Sequence, residues 1–263
     1  MSASTFTLNK DIFNPSLYKL VRSIWFDGQP DDAIIPTPVA MKRWWMGSPE
    51  ERLEFDSRCR ANFVHALEAI GPDKFPDPTA EPFLKEIQEA VQKNPENNGS
   101  EAAWTALSIV LLLDQMPRNI YRTNDTLPMV YNHYDKMSQS LLEALMSKDS
   151  PIIRPDLHPQ WRLSSVHRIW FYLPWMHSES LEMHKKIDGI QKELRDELSK
   201  MEGTEEAVKY IELGIGAEQK HLDLIEKFGR YPHRNRCLAR EMTAEEKKYI
   251  EDGGDTFGVS QVD

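Results

Sequence analysis

Ile109-Val110-Leu111-Leu112-Leu113-Asp114-Gln115-Met116-Pro117-Arg118-Asn119-Ile120-Tyr121-Arg122 decides how the rest of the chain is read. Five consecutive apolar residues have no polar face, the pattern of a helix buried on all sides. Pro117 removes a backbone N–H and disfavours helical backbone at Met116, so the helix is expected to end or kink there. A buried rod would then deliver Asp114, Gln115, Arg118, Asn119 and Arg122 at its end. Charge in such a place is costly unless it is paired or used.

Working outward, helical spacing recurs along the chain. Leu17, Leu20, Val21, Ile24 and Trp25 repeat within Asn14 to Phe26, and Asp27-Gly28 stops that helix. Ser48-Pro49-Glu50-Glu51 is a helix start with a capping box, and Gly71-Pro72 ends that helix. Weaker amphipathic runs follow at Pro82 to Lys93 and Leu127 to Met146. Beyond a proline-punctuated loop lie helical stretches at Trp161 to Met176, about Ser178 to Met201, and Glu205 to Phe228 before Gly229. Thr243 with Glu246 opens a last short helix. No segment alternates polar and apolar residues in the manner of a strand. The expectation is an all-α protein of stacked antiparallel helix hairpins, a tetratricopeptide-like bundle. It is expected as one domain over residues 1–263, with its core at about 14–258.

The 263 residues carry a net charge of -10, so no basic excess is available to displace counterions from nucleic acid. Apolar runs stop at five residues, far short of the ~18 that cross a bilayer. Two distant cysteines, Cys59 and Cys237, make neither a disulfide framework nor a zinc pattern. With no apolar leader at the N-terminus, these features give an expectation of a cytoplasmic protein without nucleic-acid or membrane partners.

Three polar strings share one grammar: an apolar helix, a proline, then dense polar residues. The first is Asp114 to Arg122. The second is Phe171-Tyr172-Leu173-Pro174-Trp175-Met176-His177-Ser178-Glu179, and the third Gly229-Arg230-Tyr231-Pro232-His233-Arg234-Asn235-Arg236. Antiparallel helices would let these ends converge. Arginine forks match carboxylates and phosphates bidentately, though they also cap helix carbonyls or pair with residues such as Asp114 or Glu179. His177 is suited to proton transfer near neutral pH, with Glu179 to orient it. Ser178 lacks a nucleophile elbow, and no glycine-rich phosphate loop is present. His177, Glu179, His184, His221 and His233 lack metal-ligand spacing, so no metal and no cofactor is expected. The tryptophan-rich stretches are expected to be core rather than ligand-stacking groups.

Those strings also carry a resemblance. Trp25-Phe26, Trp44-Trp45, Phe55-Asp56 with Phe63, Leu111 to Arg122, Tyr172-Leu173-Pro174 with Met176 to Glu179, and Phe228 to Asn235 stand in an order similar to a helical family. It is catalogued as domain-of-unknown-function family 924, among tetratricopeptide-like folds. The resemblance covers about residues 17–258 and implies a compact all-α fold of stacked helices. It implies no activity. Extra length around Phe75 to Gly99 and Pro151 to Pro159 departs from the bacterial pattern.

The leading expectation is an enzyme, or a small-molecule-binding protein evolved from one, with a polar pocket. His177, Glu179, His233 and Asp114 would do the chemistry. Gln115, Arg118, Asn119, Arg122, Arg230, Arg234 and Asn235 would hold a small polar or anionic ligand. The alternative is a tetratricopeptide-like protein–protein interaction module.

Overall fold

The computed structural model describes residues 6–152 and 154–261, the side chain of Asn98 excepted, and among them the regular structure is helical throughout. By packing, the chain divides into two compact units. Unit 1 takes residues 1–120 and 133–174; unit 2 takes residues 121–132 and 175–263.

Unit 1 is built on the helix predicted from the opening stretch. α1 (Pro15–Trp25), α2 (Pro38–Met41), α3 (Pro49–Ala69) and α4 (Glu81–Lys93) precede α5 (Ser100–Ile120). Asn14 caps α1 by accepting the Ser16 and Leu17 N–H groups, and the Ser48/Glu51 capping box opens α3. Every residue of α5 from Ala102 to Asp114 is buried, and α1, α3 and α4 pack around it. Each large aliphatic side chain sequestered there stabilises the fold by about 1.5–3 kcal/mol.

The helix does not stop at Met116. It runs on to Ile120 with Pro117 inside. Proline forfeits one backbone hydrogen bond. Side chains of the next turn add bonds to the helix backbone beside it: Arg118 Nη1 donates to the Asp114 carbonyl at 2.8 Å and Asn119 Nδ2 to the Gln115 carbonyl at 2.9 Å. Met116 and Pro117 are buried, so packing outweighs the local bias.

The predicted Leu127–Met146 helix is composite. α6 (Leu127–Met129) leads through a π-helical turn, Val130–Tyr134, into α7 (Asp135–Met146). At this turn His133 Nε2 donates to the Ile70 carbonyl at 2.7 Å, and Tyr134 donates to the Leu67 carbonyl at 3.0 Å. α8 (Ser165–Met176) starts four residues later than the spacing predicts. Ser164 and Ser165 there donate to the carbonyls of Ala33 and Ile34. The aromatic residues are mostly core: Trp25, Trp104, Trp161 and Trp170 are buried and meet edge to face. Trp45 differs, lying flat on Trp170 at 5.3 Å with its outer side exposed.

Unit 2 is organised by α9 (Leu181–Leu198) and α10 (Glu205–Phe228). His184 meets Glu218, a side chain at Gly214 would meet Gln191, and Thr204 bonds the Leu198 carbonyl. Rising numbers on one helix meet falling numbers on the other, so the pair is an antiparallel hairpin. Gly229 ends α10 in the left-handed region, φ +68°, where a side chain is disfavoured. A short turn at Pro232–Arg234 and α11 (Ala244–Glu251), opened by the Thr243/Glu246 box, complete the unit.

Candidate functional site

The second and third strings meet in unit 2. Glu179 accepts the Tyr231 N–H at 2.9 Å through Oε1. Arg240 grips the same carboxylate with both terminal nitrogens, at 2.8 and 3.0 Å. Burial alone would push Glu179 up, but the Arg240 bonds, the Tyr231 N–H and the nearby Arg234 charge hold it below the usual carboxylate range. Glu179 is therefore an anchored anion that ties residue 179 to the turn after α10. Arg240 lies outside all three strings. The left-handed backbone of Ala239, φ +52°, and an Arg240 N–H bonded to the Asn235 carbonyl at 2.8 Å aim it back at Glu179. No sequence pattern marks such a return.

Arg234 is 7% exposed, with its guanidinium carbon 4.4 Å from the Tyr131 ring and 4.5 Å from the Tyr231 ring. Its Nη2 donates to the His177 carbonyl at 2.9 Å, just past the end of α8. No carboxylate lies within ion-pair distance of Arg234 among the described residues, and its buried Nε has no hydrogen-bond partner there. The charge is thus held by two π faces and a carbonyl, and is not neutralised by a contacting anion.

Three imidazoles share this environment. His233 is buried, and its Nδ1 has no partner among the described residues. Burial, then the Arg234, His221 and Arg240 charges, drive it down to about 2, so it is neutral at any physiological pH. His221 is lowered to about 4, by burial first and then by His177, His184 and Arg234. Phe257 of the C-terminal tail stacks on His221 at 4.1 Å and meets His233 edge-on at 5.2 Å. Gln261 donates to the His233 carbonyl at 3.1 Å, so the tail is docked on the histidines. His177 is half-buried.

Beneath them lies a buried polar chain. Tyr231 donates to the Met176 carbonyl at 2.6 Å and touches His184 Nε2 at 3.2 Å. His184 Nε2 also donates to the Ser178 carbonyl at 2.9 Å, which leaves Nδ1 facing Glu218 Oε1 at 2.5 Å. Burial pushes the Glu218 carboxyl up against the downward pull of His184. Ser178 accepts the Ser180 N–H, and α9 starts at Leu181.

The other expected residues lie as follows. Arg230 is bidentate to Glu246 at 2.6 and 2.8 Å and donates to the Glu241 carbonyl, fixing α11. Asn235 is fully buried in the same turn. Arg122 is exposed. Asp114, Gln115, Arg118 and Asn119 form a network in unit 1. Asp114 is fully buried, accepts Gln115 Nε2 at 2.6 Å, and pairs with Arg118 at 3.3 Å. Arg118 continues to Asp135 of α7 at 2.8 and 2.9 Å. No group of three or more His, Cys, Asp or Glu side chains suited to a metal occurs among the described residues. No helix among them is long and apolar enough to cross a membrane.

An all-α protein with arginines, histidines and acids gathered where helices end is the class these features define. The chain belongs to the family described as bacterial protein of unknown function (DUF924), whose model matches residues 21–254. Among solved structures it is similar to a protein of unknown function, ATU0120, from Agrobacterium tumefaciens. The two are 25% identical, with a TM-score of 0.53 over 90% of this chain and 98% of that one. No curated protein matches it.

Proposed function

We propose that unit 2 binds a small anionic or strongly polar molecule around Arg234, in an enzyme or in a binding protein evolved from one. One observation carries this reading: Arg234 is a buried cation with no contacting carboxylate, beside two imidazoles held neutral. A guest anion would supply the missing countercharge, and a low-dielectric setting strengthens that attraction. It would also raise the affinity of His233 and His221 for protons, so binding would take up protons.

In this reading Arg234 attracts the ligand and His177, less buried than His233, exchanges protons with it. Glu179 and Arg240 position residue 179 and the turn, and Asn235 and Arg230 hold the segment that carries Arg234. Asp114, Gln115, Arg118 and Asn119 keep a structural role in unit 1.

The test is a thermal-shift screen against carboxylate and phosphate metabolites, with citrate and inorganic phosphate as first probes, on the wild type, His177→Asn and Arg234→Lys. Ligand binding raises stability by mass action. Anionic hits whose shift is lost in both variants, with unliganded melting preserved, support the reading. An absence of anionic hits, or shifts equal in all three proteins, overturns it.

A further inference from the structure

A second place in the molecule has the chemistry of a contact surface, in unit 1 and independent of the histidine cluster. A cavity of about 330 Å³ opens between α2, the π-helical turn Lys42–Met46 and the first half of α3. Val39 and Phe55 give it an apolar wall. Lys42, Arg43, Arg52 and Arg58 face it, against the two carboxylates Glu51 and Glu54. In a chain of net charge -10, this is a local reversal of sign.

The cations are not equivalent. Lys42 is paired with Glu51 at 2.5 Å and Arg58 with Asp27 at 3.1 Å. Arg43 donates to the carbonyls of Trp25 and Asp27, lies 3.9 Å from the Asp27 carboxylate and sits over the Phe55 ring. The Arg52 backbone N–H bonds the Ser48 carbonyl, while its side chain has no ion pair or hydrogen bond among the described residues. The wall is sterically set at Gly47, where a Cβ would come within 3.0 Å of the Lys42 carbonyl.

Large apolar side chains in this segment are turned to solvent. Val39 is 60% exposed, Met46 69%, Leu53 65%, and Trp45 41%. Tryptophan, methionine and arginine are the residues enriched at protein–protein contacts. A hollow this size lies at the small end of ligand sites. Exposed residues beyond its lining argue for an occupant larger than a metabolite, and its concave form suits an inserted side chain better than a flat lipid surface.

We propose that this hollow receives an acidic peptide segment of a partner protein, one large apolar side chain entering between Val39 and Phe55 and its carboxylates meeting Arg52 and Arg58. Charge complementarity names the occupant: the pocket carries the cationic excess, and Arg52 awaits an anion.

A random peptide library of about 12 residues displayed on phage, panned on the intact protein, tests this, since a segment of that length spans such a groove. Enriched peptides should be net negative with at least one large apolar residue. Their affinity, read by fluorescence anisotropy, should fall about tenfold or more in Arg52→Glu and in Val39→Glu, since like charge or lost apolar contact opposes docking. Both positions are exposed; should either variant melt early, Arg52→Ala and Val39→Ser replace them. No enrichment, enrichment of neutral or basic peptides, or equal binding to the variants overturns the proposal. Two further results would also overturn it. One is co-sedimentation with phosphatidylserine vesicles that Arg52→Glu abolishes, which makes the surface a membrane contact. The other is dimerisation in sedimentation velocity that Val39→Glu abolishes, which makes it self-association.

Discussion

The Glu179–Arg240 pair makes a quantitative prediction. The two side chains are 28% and 24% exposed and meet bidentately. Exposed pairs contribute about 0–1 kcal/mol. Breaking a fully buried pair costs about 3–5 kcal/mol. A half-buried bidentate pair falls between, so the coupling between Glu179→Gln and Arg240→Gln should be about 2 kcal/mol. Glu179→Ala should cost about 1 kcal/mol more than Glu179→Gln, because it also leaves the Tyr231 N–H without its acceptor. Urea unfolding of the four proteins in the cycle, with the dependence on urea unchanged, gives the coupling directly. A coupling below about 0.5 kcal/mol would mean that solvent screens the pair, and the anchoring role given to Glu179 would fail with it.

Other consequences follow from the same geometry. Glu246 is held down to about 2, by Arg230 first and against an opposing effect of burial, from an ordinary value of 4.5. Its contribution is full above 4.5 and disappears as pH falls from there toward 2; the stability gap between wild type and Arg230→Met should close over that interval. Phe257→Ala unroofs His221, whose pKa should rise from about 4 toward 6.5 in an NMR titration. A value still near 4 would show that Phe257 is not the group that keeps water away. Gly47→Ala should destabilise by about 1–3 kcal/mol, because the atom its Cβ meets at 3.0 Å is backbone. Gly216→Ala, within α10 and facing open space, should stabilise by about 0.5–1 kcal/mol in thermal melts.

Much of the fold is legible in the residues because its signals are local. A capping serine with a glutamate three positions on, or a glycine after an amphipathic run, acts through neighbouring atoms, and the starts of α3 and α11 and the stop at Gly229 are where those signals lie. The misplaced boundary at Pro117 has the opposite cause. A local penalty was outweighed by burial and by Arg118 and Asn119, and both depend on tertiary surroundings. The candidate site divides in the same way. The second and third strings were visible as dense polar runs after prolines. Arg240, Tyr131, Glu218 and Phe257 were not, because each reaches the cluster from an element whose own pattern is ordinary.

Arg230 and Arg234 show why composition could not assign their roles. They stand four residues apart in one string, and the difference that decides their roles is the presence of a contacting carboxylate. Arg230 has Glu246 in bidentate contact, so its field is cancelled within a few ångströms and α11 is held in place. Arg234 has two aromatic faces and a carbonyl, which stabilise the guanidinium without cancelling its charge. Its field contributes to keeping His233 and His221 neutral. The local positive field around Arg234 therefore depends on which arginine lacks a contacting acid, and not on how many arginines the string contains. An acid introduced beside Arg234 would remove that field while leaving net charge almost unchanged.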